Sequence, residues 1–202
     1  MTLSHLILAS GSPRRKELLR SFQLKLTVYP TDVDETFLWN KDNIEEGTVQ
    51  LALGKAHAAK KAYPSSLILG ADTVVVLHDE VLCKPKNREQ AKFFLKNLSG
   101  HTHKVISGCA VLKGVEQSCL TETTYVTFNT LSEDNINSYL DTNLWTDKAG
   151  GYAIQGSFGS LLVKSIHGCY FNVLGLPLGK LIPILNDYGL TLWNALPKDP
   201  VA

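Results

Sequence analysis

The fold is decided first by residues 3–22, which are LSHLILASGSPRRKELLRSF. The apolar run 3–9 predicts a short strand, and the apolar spacing that follows Pro13 predicts a helix. Ser12 suits the N-cap of that helix, and Pro13 suits its first position, where a missing N–H costs nothing. The stretch therefore predicts a strand, a tight polar turn and a helix in immediate succession.

The first turn of this predicted helix carries the cations Arg14, Arg15 and Lys16. Cations at a helix N-terminus oppose its partial positive charge, at a cost of about 0.3–1 kcal/mol each. The conflict disappears if an anion is held there by backbone N–H groups, serine hydroxyls and two guanidinium groups. Because broken local rules tend to mark functional sites, we interpret the turn as a phosphate site. A solvated basic helix start is the alternative.

Strand and helix patterns alternate along the rest of the chain, which predicts a single α/β domain over residues 1–202 with a mixed sheet. A loose tail is expected at about 190–202, and a kink or break in the last helix at Pro183. Strands are predicted at 24–29, 67–77, 80–83, 105–112, 121–128 and 161–166, and helices at 44–62, 88–98, 133–140 and 177–187.

Composition excludes several classes of function. The formal net charge of +1 lacks the basic excess of nucleic-acid-binding proteins. No apolar run approaches the roughly 20 residues of a membrane span, and the run at the start is too short for a secretory signal. The four cysteines show no metal or redox spacing, so free thiols in a reducing cytoplasm are expected. We therefore expect a cytoplasmic protein with neither nucleic-acid nor membrane partners.

Charged residues interrupt apolar sequence at a few positions. Asp72 lies inside the most hydrophobic predicted strand, where an unpaired carboxylate is costly, so it needs a cation, a metal ion or a cleft. A purely structural ion pair is the alternative. Glu35, in an acidic stretch, taken alone fits a solvated loop, Lys55 in isolation fits an ordinary exposed lysine, and Lys84 by itself is a weak signal.

Together these residues suggest one chemistry. Basic groups at a helix N-terminus could bind a polyphosphate, and carboxylates from two segments could hold Mg²⁺. A water oriented by that metal ion or by a carboxylate could then attack a phosphorus atom. The Walker A pattern is absent, as is GxGxxG after a strand, so the site is neither a P-loop nor a Rossmann site.

A series of short motifs along nearly the whole chain resembles the Maf family of nucleoside triphosphate pyrophosphatases. Each motif alone is modest evidence, but their number, order and spacing make the resemblance specific. The motifs are ASGSPRRxxLL at 9–19, DE at 34–35, AxxKA at 52–56, GADTVV at 70–75, KP at 84–85, LSGxTH at 98–103, DKAGGYxIQG at 147–156 and IxGxYxNVxGLP at 166–177.

The resemblance implies a Maf/Ham1 (ITPase)-like α/β fold: an elongated, twisted mixed sheet flanked by helices, with two lobes and a central cleft. It implies hydrolysis of a nucleoside triphosphate between the α and β phosphates, with a divalent metal ion (Mg²⁺ or Mn²⁺) and a homodimer as the default assembly. Carried over by position, Glu35 and Asp72 would bind the metal ion and activate water, with Asp72 as general base. The implied substrate-binding residues are Ser10, Ser12, Arg14, Arg15, Lys55, Thr73 and Gln155. Lys84 would also bind the phosphates, and it is grouped with Asp72 and Glu35 as a catalytic residue.

Arg15, Thr73 and Gln155 together resemble the subgroup that acts on dTTP and UTP. The subgroup similar to 7-methyl-GTP pyrophosphatases tends to have Trp in place of Arg15 and Glu in place of Gln155. A glutamine amide offers both a donor and an acceptor, which suits a pyrimidine. CTP and modified pyrimidine nucleotides stay open as substrates.

The competing hypothesis is a nucleotide-sensing regulatory protein acting on cell division or septum formation. The paired acids favour the enzyme, because a pure anion binder has no use for carboxylates near phosphates. For His103, inside a matched motif, we expect a structural role in hydrogen-bonding a neighbouring loop.

Overall fold

The computed structural model describes residues 5–31, 33 and 43–196. The acidic residue Glu35, predicted to bind metal, lies outside these described residues. The strands are β1 (His5–Ala9), β2 (Lys25–Val28), β3 (Leu67–Leu77), β4 (Glu80–Leu82), β5 (Thr102–Lys113), β6 (Glu116–Phe128) and β7 (Val163–His167). The helices are α1 (Pro13–Arg20), α2 (Ile44–Ala62), α3 (Arg88–Leu98), α4 (Glu133–Asp141), α5 (Gly156–Leu162), α6 (Tyr170–Val173) and α7 (Leu178–Asp187).

The strands form one seven-stranded mixed sheet in the order β2-β1-β3-β5-β6-β7, with β4 antiparallel to β3. This confirms the predicted α/β class with a mixed sheet. Strand β1 is parallel to both β2 and β3, and Ala9 is opposite Gly70. Because parallel strands end at the same edge of a sheet, the turn after Ala9 emerges beside the β3 residues that follow Gly70.

The chain packs as two compact units. The first contains the described parts of Met1–Asp72, Ser107–Glu122 and Leu174–Ala202, and the second contains Thr73–Ile106 and Thr123–Val173.

In the first unit, strand β1 is buried on both faces, as expected for a central parallel strand. Leu6 and Leu8 face one apolar cluster, to which α1 contributes Leu19 and α7 contributes Leu181. The intervening residues Ile7 and Ala9 face a second cluster built on the alanine-rich face of α2 (Ala52, Ala56 and Ala59). The alternation of strand side chains thus places α2 against the face of the sheet opposite α1 and α7.

The second unit has its own core, in which aromatic residues are prominent. Phe128, Tyr139 and Tyr152 are buried there together with the apolar faces of α3 and α4. Helix α4 begins with a capping box between Ser132 and Asn135, one residue before the predicted helix start at 133.

The structure departs from the sequence predictions in its last third. The glycine-rich stretch 156–162 forms α5, where a loop and the start of a strand were predicted; Phe158 and Leu162 pack on the core, so tertiary contacts override weak helix propensity. Helix α7 continues through Pro183 without a break, with Leu181 and Leu185 buried on either side of it. The described part of the predicted tail is packed at residues 190–195, because Leu190, Leu192 and Ala195 are buried.

Among the described residues, no helix combines the length and the apolarity that crossing a membrane requires.

Candidate active site

The turn from β1 into α1 carries the predicted phosphate-binding residues. Ser12 occupies the N-cap of α1, but its side chain accepts no hydrogen bond from the first turn, so the predicted capping role of its hydroxyl is wrong. The Ser12 backbone N–H instead donates to Oγ of Ser10, at 3.2 Å. The first turn carries no acidic residue, and Arg14 is partly buried there. The start of α1 therefore combines positive charge with two serine hydroxyls.

Arg15 is directed into the protein, and only 7% of it is exposed. Its Nε donates to the carbonyl oxygen of Gly175 at 2.9 Å, and its Nη1 donates to the carbonyl oxygen of Ala71 at 2.8 Å. Nη1 also donates to Ser10 Oγ, at 3.0 Å. One guanidinium group thus joins the turn after β1, the middle of β3 and the turn after α6.

Asp72 and Lys55 form a buried ion pair. Lys55 Nζ lies 2.6 Å from Oδ1 of Asp72, and each residue is 7% exposed. The carboxylate in the apolar strand therefore has a cation partner, which is one of the three environments expected for it from the sequence. The interpretation of Lys55 as an ordinary exposed lysine is wrong, because α2 lies against the sheet and buries that face of the helix.

Gly70 is what allows α2 to approach β3 so closely. A Cβ built on Gly70 would lie 2.1 Å from the backbone oxygen of Ala52, which is far below any real contact. Gly70 precedes Asp72 by two residues and Ala52 precedes Lys55 by three, so this contact fixes the distance between the two charges. The glycine lies inside a motif quoted above, but its packing role could not be inferred from the motif.

Replacement of Gly70 by alanine should push α2 away from β3 and separate Lys55 from Asp72. We expect Gly70→Ala to lower the free energy of unfolding by about 1–3 kcal/mol, as overpacking typically does. Denaturant unfolding measures the effect. Gly179→Ala in α7 is the matched control: its Cβ would meet no described atom within 4 Å, and alanine favours a helix by up to about 1 kcal/mol. Equal behaviour of the two variants would contradict this account.

A cysteine thiol lies near both Arg15 and Asp72. Cys109 is 1% exposed, and burial raises the pKa of its thiol to about 12, with a smaller opposing effect from the Arg15 charge. A thiol with this pKa stays protonated at neutral pH, which excludes Cys109 as a nucleophile. Cys83 and Cys119, by contrast, are exposed.

Thiol labelling should follow this order of exposure. In the folded protein at pH 8, iodoacetamide should modify Cys83 and Cys119, while Cys109 should react only after unfolding, because it is both inaccessible and protonated. Peptide mapping by mass spectrometry identifies the labelled positions, and urea-unfolded protein provides the fully reactive control. Labelling of native Cys109 at the rate of the exposed thiols would show that its environment is wrongly described.

The second unit carries the predicted residues Lys84 and Gln155, both of which are exposed. Cys83, directly before Lys84, accepts a hydrogen bond through its carbonyl oxygen from the N–H of Gly150, at 3.2 Å. Gln155 precedes α5 and makes no side-chain cap. This hydrogen bond connects the glycine turn at 149–151, which precedes Gln155, to the backbone directly before Lys84. Thr73, partly buried, is the first residue of this unit.

His103 has a structural environment, as expected. Its Nε2 lies 2.8 Å from the hydroxyl of Tyr152, in the loop before Gln155, and its ring packs edge-on against Phe128. Its Nδ1 is buried and has no hydrogen-bond partner among the residues that the structure describes. Burial lowers the pKa of His103 from 6.5 to about 4, so the imidazole is neutral at physiological pH.

This low pKa should make the protein less stable in mild acid. The unfolded chain binds a proton at His103 near pH 6.5 and the folded chain only near pH 4, so the free energy of unfolding should fall as pH falls through that window. The slope from this group is at most about 1.4 kcal/mol per pH unit. Urea unfolding at a series of pH values should show a shallower dependence for His103→Phe. The two proteins should have parallel profiles between pH 7.5 and 8.5; parallel profiles below pH 6 would contradict the assignment.

The donor set at Asp72 suits a hard divalent cation, although the described residues contain no cluster of three or more potential metal-binding side chains. Asp72 supplies carboxylate oxygen, the ligand type that Mg²⁺ prefers, and one of its oxygens is bound to Lys55. Magnesium sites often use only one or two carboxylates, with waters and substrate phosphates completing the shell. The second predicted carboxylate, Glu35, lies outside the described residues.

Comparison with known proteins identifies the family. A family model described as Maf-like protein matches residues 5–188. The chain belongs to the Maf family. It is 45% identical over 191 residues to a dTTP/UTP pyrophosphatase of Desulforamulus reducens, covering 93% of this chain and 98% of that protein. It is 42% identical over 192 residues to a dTTP/UTP pyrophosphatase of Symbiobacterium thermophilum, covering 95% and 98%. A solved nucleoside-triphosphatase (dITP/XTP pyrophosphatase) of Mycobacterium abscessus aligns over 96% of this chain and 99% of its own, with 15% identity and a TM-score of 0.45.

Within this Maf protein, the structure brings Ser10 and Arg15 into one hydrogen-bonded group and Lys55 and Asp72 into another. Both groups belong to the first unit, and Ala71, bonded to Arg15, directly precedes Asp72. Sequence reasoning did not identify Ala71 and Gly175 as partners of Arg15, because backbone carbonyl groups carry no sequence signal.

Proposed function

We propose that this Maf protein is a nucleoside triphosphate pyrophosphatase that hydrolyses dTTP and UTP between the α and β phosphates, releasing the monophosphate and pyrophosphate. The observation that carries the proposal is the buried ion pair between Lys55 on α2 and Asp72 on β3, whose atoms lie 2.6 Å apart. Asp72 follows Gly70, the β3 residue opposite Ala9, after which the basic turn of α1 emerges. A desolvated acid next to a cationic, hydroxyl-bearing turn suits hydrolysis of a phosphoanhydride. The names of the relatives give independent support.

The start of α1 is the proposed triphosphate-binding element. Ser12 does not cap the helix, so the N–H groups of the first turn do not donate to its hydroxyl. These N–H groups, the hydroxyls of Ser10 and Ser12 and the Arg14 guanidinium can donate to phosphate oxygens, and the charge of Arg15 adds to the positive potential there. An anion bound in this way relieves the unfavourable placement of cations at the helix N-terminus.

Asp72 is the proposed general base. Lys55 holds one carboxylate oxygen, which fixes the orientation of the carboxylate and leaves the second oxygen to accept a proton from the attacking water. Attack on the α phosphorus in line with the departing pyrophosphate breaks the α–β anhydride bond. The proton moves to Asp72, and the ammonium groups of Lys55 and Lys84 are proposed to neutralise charge on the phosphates.

Asp72 together with Glu35 would hold a divalent cation, Mg²⁺ or Mn²⁺. When bound, that cation would supply charge neutralisation on the triphosphate oxygens. Protein groups alone carry the remaining roles: Arg14 and the serines bind phosphate, and Lys55 orients Asp72.

Gln155 and Thr73 are the proposed contacts to the nucleoside. The Gln155 amide can donate to a pyrimidine carbonyl and accept from its ring N–H, which fits uracil and thymine. CTP and modified pyrimidine nucleotides are further candidate substrates.

We also propose a cytoplasmic location, in keeping with the exposed thiols of Cys83 and Cys119. We propose in addition that the protein is a homodimer, which size-exclusion chromatography with light scattering would test.

The regulatory alternative is not favoured. A protein that only senses nucleotides gains nothing from a buried carboxylate near bound phosphate, because like charges repel and weaken binding.

Pyrophosphate release from a panel of nucleoside triphosphates tests the function, with Mg²⁺ or Mn²⁺ present. We expect release from dTTP and UTP to exceed release from purine nucleotides and 7-methyl-GTP. Asp72→Asn should lower kcat by about 10²–10⁴-fold, because it removes the proton acceptor. Asp187→Asn, a change of the same kind at an exposed position, should leave the rate unaltered.

Two outcomes of this assay would count against the proposal. Full activity of Asp72→Asn would overturn its role as general base. A preference of the wild-type protein for 7-methyl-GTP would keep the chemistry but overturn the assignment to the dTTP/UTP subgroup and the proposed contact of Gln155 with a pyrimidine.

A further inference from the structure

Arg14 and Arg15 are adjacent cations in the first turn of α1, but their environments differ. Successive residues on a helix point about 100° apart, because the helix has 3.6 residues per turn. Arg14 is partly buried, whereas Arg15 is buried and hydrogen-bonded to three separate segments of the first unit. The Arg15 guanidinium is therefore committed to hydrogen bonds within the protein.

The hydrogen bonds of Arg15 occupy the atoms that phosphate recognition would use. A guanidinium group binds phosphate bidentately through one of two edges, and each edge pairs Nη2 with either Nε or Nη1. In Arg15 the single N–H of Nε donates to Gly175, and the two N–H groups of Nη1 donate to Ala71 and Ser10. Neither edge can bind phosphate bidentately without losing a bond to the protein.

The groups that Arg15 holds are themselves parts of the proposed site. Ser10 Oγ is a proposed phosphate ligand, and the Ala71 carbonyl directly precedes the proposed general base Asp72. The third acceptor is in a turn that depends on glycine, because Gly175 has a φ of +107°, a conformation that other residues rarely adopt. The electrostatic effect of both Arg15 and Asp72 on the Cys109 thiol agrees with an Arg15 charge directed inward, beneath the site.

We propose that Arg15 is a positioning residue, whose guanidinium aligns the Ser10 hydroxyl with the middle of β3, which carries Asp72, while Arg14 binds the triphosphate. This inference rests on the proposed function and assigns separate roles to two cations that the sequence pattern treats alike. Arg15 acts on the rate through the alignment of Ser10 and Asp72, and Arg14 acts on substrate affinity.

The first test separates kcat from affinity with matched Arg→Lys changes, which keep the positive charge and remove the planar guanidinium. Arg15→Lys should lower kcat for UTP by about 10–100-fold, because small errors in alignment reduce rates by such factors. Its Kd for the non-hydrolysable α,β-methylene analogue of UTP should stay within about threefold of wild type. Arg14→Lys should weaken analogue binding by about tenfold, since a bidentate contact is lost. Arg20→Lys, at the exposed end of α1, is the control and should change neither quantity.

A double-mutant cycle tests whether Arg15 acts through Ser10. If it does, Arg15→Lys combined with Ser10→Ala should have nearly the same kcat as the more damaged single variant, whereas independent effects would multiply.

Gly175→Ala disturbs the third acceptor without altering Arg15, so it should reproduce the kcat loss at unchanged analogue affinity. This second variant keeps the test decisive if Arg15→Lys fails to fold, as judged by thermal unfolding.

The outcomes distinguish this inference from the proposed function. The positioning role would be overturned if Arg15→Lys weakened analogue binding more than Arg14→Lys does, or if the kcat losses in the cycle multiplied. The proposed function would still hold in either case, provided that the wild-type protein turns over UTP. A wild-type protein that binds the analogue but releases no pyrophosphate would overturn the proposed function. In that case the alignment of Ser10 by Arg15 is tested by the thermal stability of the four proteins in the Arg15 and Ser10 cycle. A stability loss in the double variant that is smaller than the sum of the two single losses would support the alignment, and additive losses would overturn it. Absence of analogue binding by the wild type would overturn both.

Discussion

The buried ion pair between Lys55 and Asp72 is the interaction on which the described site depends. Taking two charges out of water is costly, and only close contact with hydrogen bonding offsets that cost. Removing one partner of such a pair leaves an uncompensated charge and typically destabilises a protein by about 3–5 kcal/mol. A helix and a central strand are therefore tied together at the point where a carboxylate is available for chemistry. In the proposed mechanism the same contact serves both folding and catalysis, so a change of either charge should affect both.

Close packing of helix on sheet makes this pair possible. Two glycines, Gly70 on β3 and Gly108 on β5, lie against the backbone of α2, where a Cβ would come within 2.1 Å of Ala52 and 2.4 Å of Thr48. The alanine-rich face of α2 completes the contact with small side chains. A helix held this close to a sheet cannot shift, because interiors are packed at crystal-like density. The rigidity needed to keep Lys55 and Asp72 aligned thus comes from residues without functional groups.

The second unit stabilises its segment before Gln155 differently, with uncharged polar contacts inside an aromatic core. His103 is kept neutral by burial and bonds to Tyr152, and the hydroxyl of Tyr139 accepts a hydrogen bond from the N–H of Ala153. These bonds hold the residues between the glycine turn and Gln155 without placing a charge in the core. The two units thus order their proposed functional residues by different means: buried charges in the first, and neutral hydrogen bonds among aromatic rings in the second.

Local sequence patterns were sufficient to predict the α/β class and the bounds of α2, β3 and α3, and they selected the candidate residues. They were sufficient because hydrophobic periodicity, caps and turn residues act locally. They failed for α5 and for the stretch 190–195, where burial against distant residues overrides weak local preference. They also could not show that Lys55 pairs with Asp72, that Arg15 donates to three separate segments of the chain, or that Gly70 sets the helix–strand distance. Tertiary structure alone decided these points, because each depends on contacts between residues far apart in the chain, and several involve backbone carbonyl groups that every residue carries.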